Sequence, residues 1–269
     1  MMGAQPIPIL MYHSVGATES EAYRRLTVSP DTFALHMAAL VEQGYHPMTI
    51  RNLVAARQSG TVPARAVAVT FDDGLRDFLT GALPILQRYA VPATLFIATR
   101  YVGATARWLT EVGEGNRPML SWNEVREIAA VGIECGAHTH SHPQLDIIGN
   151  ALAGEEIRTG KKVLEDQLDA DVVSFAYPYG YSSRKTRQLV RAAGFASACR
   201  VRHALSSADE DLFALSRIIV TDTVTAEDLL DLMAGEGLAV APPADRLIGT
   251  GWRLARRAML VTQGAPWEA

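Results

Sequence analysis

The sequence predicts an α/β fold in which parallel strands form a sheet or barrel. Apolar runs that resemble strands alternate with helix-like segments along the whole chain, which is the pattern of such folds. The length of 269 residues suits one large α/β barrel, and 48% hydrophobic residues supply its core. The sequence shows no linker, low-complexity tract or internal repeat, so we expect a single domain.

The first half of the chain contains clear strand and helix signals. Ser29 as N-cap and Pro30 at the first helical position begin a helix that ends at Gly44. The predicted elements, in order, are the strand "PIPILMYH", that helix, a helical "IRNLVAARQSG", the strand Ala66 to Phe71, a helix through "ALPILQRYA" and the strand Ala93 to Ala98.

The second half continues this alternation. Ser121 and Glu124 form a predicted capping box for a helix, and "GIECGAH" is the strand that leads into a group of histidines. The later predicted elements are the helix "EEIRTGKKVLEDQL", the strand "VVSFAYP", the helix "RKTRQLVRAAG", the strands "FASAC" and "FALSRIIV", and a helix from Thr225 to Met233.

The tail combines arginines with Leu, Trp and Met, which predicts an amphipathic helix at about 243–262. Such a helix can lie on an anionic membrane surface, but packing on the parent domain is the commoner outcome, and we favour it. We therefore expect one domain over 1–269, with its core at about 6–235.

Charge and composition argue against several classes of partner. The net charge is −4 and no segment concentrates Lys and Arg on one face, so we expect no binding to nucleic acid. Cys135 and Cys199 lie in apolar runs, which predicts buried, inert thiols. The sequence has no basic leader and no membrane-spanning run of ~20 apolar residues, so we expect a cytoplasmic protein. It leaves the oligomeric state open.

The segment "TFDDG", Thr70 to Gly74, places two adjacent carboxylates at the end of a buried strand. Because an unpaired buried charge is costly, we expect one of them to bind a cation or to act as a base. An Asp-Gly turn or a helix cap would explain this segment on its own equally well.

The segment "HTHSHP" places three of the seven histidines of the chain within five positions. His138 and His142 are four residues apart, so in a helical turn both rings would project from one side and could bind one ion, whereas His140 would point elsewhere. Two imidazoles and a carboxylate suit zinc, with cobalt or nickel as alternatives. A His-rich surface loop or a pH-sensitive cap remains open.

The segment "FAYPYG" ends a strand abruptly, because Pro178 cannot donate to a ladder and Gly180 permits an unusual backbone angle. Amides left free there could stabilise an oxyanion, although a simple turn is an alternative. Tyr177 and Pro178 are candidates for contacting substrate or for supporting the site.

Together, in this order and at three strand ends, the motifs resemble those of the polysaccharide deacetylase family, also called the NodB homology domain or carbohydrate esterase family 4. The family's T-F-D-D-G, H-[ST]-x-x-H and P-Y-G signatures match Thr70 to Gly74, His138 to His142 and Pro178 to Gly180. The resemblance extends from "PILMYHSV" through "MLSWNEV" to "LSRIIV". It implies a distorted, seven-stranded (β/α) barrel of the NodB type.

The resemblance also implies a role for individual residues. Asp73, His138 and His142 would bind a divalent metal, Asp72 would be the general base, and the Tyr179 amide would hold the oxyanion. The implied reaction removes the acetyl group from an N-acetylated amino sugar by attack of water.

Two features depart from the family pattern. Ala176 stands where the family usually has an Arg that orients the base, and Arg217 in "LSRII" is our candidate to replace it. The sequence also lacks a clear Leu-His pair near its C-terminus, where many members carry a general acid. His13, at the end of the first strand, is a candidate for supporting the site or contacting substrate, and His203 is the weaker alternative.

Three hypotheses follow for the function. The first is a metal-dependent N-deacetylase acting on an oligosaccharide, a polysaccharide or a lipid- or nucleotide-linked sugar precursor. The second is a related amide hydrolase with a non-sugar substrate, because a fold does not determine a substrate. The third is a carbohydrate-binding homologue with weak catalysis, which the missing Arg and the missing late His suggest.

Overall fold

The structure is a computed structural model that describes residues 5–18 and 20–241. In this part of the chain, twelve strands and eight α-helices follow one another. The strands are β1 (Ile9–Tyr12), β2 (Ser14–Val15), β3 (Thr27–Val28), β4 (His46–Met48), β5 (Ala66–Phe71), β6 (Thr94–Ile97), β7 (Glu134–Ala137), β8 (Ser174–Ala176), β9 (Ser197–Cys199), β10 (Ala204–Leu205), β11 (Ile218–Ile219) and β12 (Ala239–Val240). The helices are α1 (Glu21–Arg24), α2 (Pro30–Glu42), α3 (Ile50–Ser59), α4 (Leu83–Arg88), α5 (Trp122–Ala130), α6 (Asn150–Leu168), α7 (Arg184–Ala192) and α8 (Ala226–Ala234).

Seven strands form the main path of one parallel sheet, in the order β11-β1-β5-β6-β7-β8-β9, and β4 pairs with the first residues of β5. The sheet curls because the segment before β11 reaches back to the opposite edge. Cys199 of β9 pairs with Leu215, and the Arg200 amide donates to the Leu215 carbonyl at 2.9 Å. The predicted α/β fold, a distorted (β/α) barrel in one domain, is confirmed.

The strands of this sheet read as continuous apolar runs because both of their faces are buried. Ile9, Ala68 and Phe96 face a cluster that is covered by α3, a helix in contact with both β5 and β9. Their neighbours along the strands, including Leu10 and Val69, face the larger cluster that contains α2 and α4. Because side chains alternate between the two faces of a strand, successive residues of each strand pack into different hydrophobic clusters.

Local signals fix several helix starts as predicted. The Ser29 side chain accepts a hydrogen bond from the Thr32 amide at the start of α2, and Ser121 and Glu124 form the predicted capping box of α5. Both cysteines are free thiols and are buried, also as predicted.

Other boundaries differ from the prediction. Helix α6 passes through the predicted segment "EEIRTGKKVLEDQL" and extends further towards the N-terminus, to Asn150. Only Ile218–Ile219 of the predicted strand "FALSRIIV" form β11, because Leu215, earlier in this run, pairs with Cys199 of β9 instead. The amphipathic helix predicted at about 243–262 lies outside the described residues. Within the described part, no helix is long and apolar enough to cross a membrane.

Candidate active site

The carboxyl ends of the parallel strands bring the predicted site residues together. Tyr12 pairs with Phe71, so His13 and Asp72 leave adjacent strands at the same level. At the end of β7, the His138 amide continues the ladder by donating to the carbonyl of Ile97. This edge is where α/β barrels place their active sites.

Asp73, His138 and His142 form the one group of potential metal ligands found among the described residues. Their ligand atoms lie within 4.8 Å of one another, and all three side chains are buried. Asp73 Oδ1 is 3.6 Å from His138 Nε2 and 3.2 Å from His142 Nε2. Two imidazoles and one carboxylate converging on one point fit a divalent metal with coordination positions left for water and substrate.

The backbone geometry behind this convergence is not the one predicted. The His138 to His142 segment is an irregular turn rather than a helical one, with φ of 66° at Thr139 and 63° at His142. The Thr139 hydroxyl accepts a hydrogen bond from the His142 amide at 3.0 Å. Asp73 also has a positive φ, of 78°. Left-handed backbone at non-glycine residues is costly and concentrates at functional sites.

Hydrogen bonding and burial set the protonation of His138. Its Nδ1 lies 2.8 Å from the Ala176 carbonyl oxygen, which can only accept, so Nδ1 carries the proton and Nε2 is left to act as a ligand. Burial lowers the pKa of His138 to about 4, so the ring is neutral at ordinary pH. A neutral imidazole is the form that binds a metal.

Asp72 is held by Arg217. The Arg217 Nη1 and Nη2 atoms donate to the two carboxylate oxygens at 2.6 and 2.7 Å, and the Arg217 side chain is fully buried. Arg217 Nε also donates to the Arg200 carbonyl at 3.2 Å. Burial alone would raise the pKa of Asp72, but the charge and hydrogen bonds of Arg217, aided by His138, lower it below its usual value.

Asp73 is also ionised. Burial would raise its pKa, but the hydrogen bond and charge of His142 outweigh burial and hold the pKa well below its usual range. His13 is half-buried and follows Tyr12 at the end of β1, level with Asp72 at the end of the neighbouring β5. His203 is exposed, and its Nδ1 accepts from the Ile219 amide at 3.2 Å.

The "YPYG" segment places its two tyrosines differently. Tyr179 has φ of 58°, is 40% exposed, and its ring centroid lies 4.9 Å from that of His142. Tyr177 is fully buried, and its hydroxyl donates to the Phe213 carbonyl at 3.0 Å. The burial of Tyr177 favours one of the two roles predicted for it, support of the site, over contact with substrate, and that role stays a prediction. Pro178 is buried as well.

A family model described as Polysaccharide deacetylase matches residues 59–198, just over half of the chain. The chain belongs to the polysaccharide deacetylase family. The matched segment includes both aspartates, the histidine segment and Pro178 to Gly180, whereas His13 and Arg217 lie outside it.

Individual relatives agree with this membership. YxkH of Bacillus subtilis, assigned by name to the polysaccharide deacetylases, is 26% identical over 216 residues, which are 80% of this chain and 71% of YxkH. The poly-β-1,6-N-acetyl-D-glucosamine N-deacetylase of Staphylococcus aureus is 24% identical over 76% of this chain and 71% of its own. The structure of the Streptococcus pyogenes deacetylase PplD in complex with acetate matches with a TM-score of 0.75 and 29% identity, over 85% of this chain and 98% of PplD.

Polysaccharide deacetylases are hydrolases that act on carbon–nitrogen bonds other than peptide bonds, and this protein is one of them. Its relatives are deacetylases of sugars, which agrees with a carbohydrate substrate. Members of the family use a divalent metal, and the Asp73, His138 and His142 group could bind one.

Sequence reasoning missed two residues of this polysaccharide deacetylase site. Trp108 stacks on His142, with ring centroids 4.7 Å apart and 25° between the planes. Glu156 of α6 accepts hydrogen bonds from the loop that carries His138 and His142. Trp108 lies in a short 3₁₀ helix, Arg107–Val112, that has no recognisable motif, and Glu156 reads as a surface acid in "EEIR", so neither carries a local signal.

Proposed function

We propose that the protein is a metal-dependent N-deacetylase that hydrolyses the acetamido group of an N-acetylated amino sugar. The substrate would be an oligo- or polysaccharide, or a lipid- or nucleotide-linked precursor. One observation carries the proposal: the carboxylate of Asp72, held at two points by Arg217, adjoins the Asp73, His138 and His142 group. The activity named for the Staphylococcus aureus relative supports the same reaction.

The ligand set favours zinc, with cobalt and nickel as alternatives. A bound divalent ion would lower the pKa of a water molecule and polarise the acetyl carbonyl. Asp73, His138 and His142 would hold the ion, and the hydrogen bond from His138 Nδ1 to the Ala176 carbonyl would fix the ring for this role.

We assign Asp72 as the general base. Its low pKa keeps it ionised at neutral pH, so it can accept the proton of the attacking water, while Arg217 fixes the direction of its oxygens. As the carbon–nitrogen bond breaks, the leaving nitrogen takes up the proton that Asp72 accepted from the water, so the products are acetate and a free amine. His13, which follows β1 at the level where Asp72 follows β5, is our candidate for contacting the substrate at this step.

Tyr179 is our candidate for stabilising the oxyanion through its backbone amide. Its positive φ turns the backbone at the end of β8, and its side chain is the partly exposed ring beside His142. An amide aimed at the developing charge would lower the barrier most, because it needs no rearrangement during the reaction.

Two alternative functions proposed from the sequence remain, and the experiment below distinguishes them. A non-sugar amide would meet the same base and the same ligands. The hypothesis of a carbohydrate-binding homologue with weak catalysis rested on a missing Arg and a missing late His. Arg217 weakens the first of these reasons, because it supplies the guanidinium that is absent at Ala176. The cytoplasmic location and the absence of nucleic-acid partners stay predictions.

The test incubates the purified protein with zinc or cobalt and with β-1,4- and β-1,6-linked N-acetylglucosamine oligomers, and measures the acetate released. We expect release by the wild type, none by Asp72→Asn, and wild-type release by Asp166→Asn, a matched change in an exposed acid on α6. Acetate release that survives Asp72→Asn would refute the assigned base. Release from simple amides but from no acetylated sugar would favour the non-sugar hydrolase.

A further inference from the structure

The loop from His138 to His142 needs support from outside itself. It has no regular secondary structure, and two of its non-glycine residues, Thr139 and His142, have left-handed backbone. Such a backbone conformation is unfavourable for residues other than glycine and persists only where the surroundings hold it. The loop also carries both imidazoles of the proposed metal site, so its conformation decides where they point.

Glu156 is the main external support of this loop. Its Oε2 accepts hydrogen bonds from the amides of His140 and Ser141 at 3.0 and 2.7 Å, and its Oε1 accepts from the Ser141 hydroxyl at 2.6 Å. The residue is 8% exposed. A buried carboxylate is costly unless it is satisfied, and three donors from one loop satisfy this one.

The same face of α6 approaches the loop at a second point. Gly160 is one helical turn after Glu156, and a Cβ built on it would lie 2.7 Å from the carbonyl carbon of Thr139. A larger side chain there would push the helix away and take the Glu156 carboxylate with it. The close approach at Gly160 therefore brings Glu156 within reach of the two amides.

A second segment, Thr99–Tyr101, also contacts the loop. The Thr99 hydroxyl lies 2.9 Å from His140 Nδ1, and the Arg100 amide donates to the His140 carbonyl at 2.9 Å. His140 thus links the loop both to Glu156 and to this segment, through its backbone and its ring.

We propose that Glu156 is a positioning residue that sets the metal affinity of the site by holding the His138 to His142 loop in its left-handed conformation. It does not touch the ion or the substrate. This inference rests on the proposed function, because it requires that His138 and His142 bind a metal.

The test measures zinc and cobalt affinity by titration of metal-stripped protein, without substrate, together with hydrogen exchange of the His140 and Ser141 amides. Glu156→Ala should weaken metal binding by ~10–100-fold, as is usual when support of metal ligands is removed. It should also speed exchange at both amides. Glu156→Gln should restore much of the affinity, because one side-chain oxygen can still accept both amides. Glu155→Gln, at the exposed neighbouring acid of α6, should match the wild type.

If Glu156→Ala does not fold, Glu156→Gln and Ser141→Ala provide the test, because each removes only part of the contact. A graded loss of affinity in these two, at a thermal midpoint close to that of Glu155→Gln, supports the proposal. A folded Glu156→Ala protein with wild-type affinity, or wild-type affinity in both Glu156→Gln and Ser141→Ala where Glu156→Ala does not fold, would overturn it and leave the proposed function standing. Wild-type protein that binds neither metal would overturn the metal site, and the role of Glu156 with it.

Discussion

Arg217 and Asp72 are 145 residues apart in the chain, and they form a two-point ion pair with N–O distances of 2.6 and 2.7 Å inside the protein. Both side chains are almost completely buried. The guanidinium lies beside Phe96, which shares a core cluster with Ala176. The segment before β11 thus supplies the guanidinium that the family usually carries at the position of Ala176.

We expect Arg217→Met to reduce both stability and activity. Removing one partner leaves a buried, unpaired carboxylate, which costs about 3–5 kcal/mol of the free energy of unfolding. The matched control is Arg191→Met, which breaks the half-exposed pair with Asp211 and should cost at most about 1 kcal/mol. Urea unfolding at neutral pH measures both, and equal losses in the two variants would contradict the structural role of the pair.

The same change should alter the pH dependence of turnover. Arg217 lowers the pKa of Asp72, so the loss of Arg217 raises that pKa. Because turnover needs ionised Asp72, the variant should begin to lose activity at a higher pH than the wild type as the solution is acidified. We expect the acid limb of the kcat/KM profile to move upward in Arg217→Met and less in Arg217→Lys, which keeps the charge but not the two-point contact. An unchanged acid limb would show that Asp72 is not the group titrating there.

The three clustered histidines should differ in metal content. His138→Ala and His142→Ala each remove a ligand, so we expect purified protein to lose its bound metal, as measured by elemental analysis after dialysis. His140→Ala should keep the wild-type stoichiometry, because the His140 ring lies against Thr99 rather than Asp73. Metal loss in His140→Ala of the same size as in the other two would be incompatible with this geometry.

His36 should make stability fall in mild acid. It is fully buried between the Tyr12 hydroxyl, 3.1 Å from Nδ1, and the Val224 carbonyl, 2.9 Å from Nε2. Burial lowers the pKa of His36 below 6.5, so the unfolded chain takes up the proton first. The free energy of unfolding should therefore decrease as the pH falls through 6.5 towards that lower pKa.

Urea unfolding at about pH 7.5 and about pH 5.5 measures this dependence. His36→Gln should lose less stability between the two conditions than the wild type, because the buried imidazole is gone. His46→Gln changes an exposed histidine of β4 and serves as the control. Identical pH dependence in all three proteins would exclude His36 as the source.

Trp108 should report metal binding by fluorescence. Its ring stacks on the proposed ligand His142 at 4.7 Å, and contact at this distance allows a paramagnetic ion at the site to quench its emission. We expect copper or cobalt to quench the fluorescence of the protein, zinc to quench it far less, and Trp108→Phe to remove the larger part of the effect. Trp122→Phe should keep it, and equal loss in both variants would argue against the stacked geometry.

The elements with strong local signals were predictable from the sequence. Ser29 with Pro30, and Ser121 with Glu124, mark helix starts through hydrogen bonds that span only a few residues. The boundary that was wrong, at β11, depends on a change of strand partner, because Leu215 pairs with Cys199 of β9. Contacts of that kind leave no periodic trace in the residues that make them.

The candidate site likewise combines features that local sequence signals predict with features that depend on contacts between distant segments. The sequence by itself determined the fold class, the family and the candidate residues of the site, because strand periodicity and the "TFDDG", "HTHSH" and "PYG" motifs are local in the chain. Only the tertiary structure decided that His138 and His142 converge through a left-handed turn, that Arg217 reaches Asp72, and that Glu156 and Trp108 flank the histidine loop. The physical reason is that orientation at this site comes from buried contacts between segments far apart in the chain, and each contact depends on how closely a helix or strand approaches its neighbour.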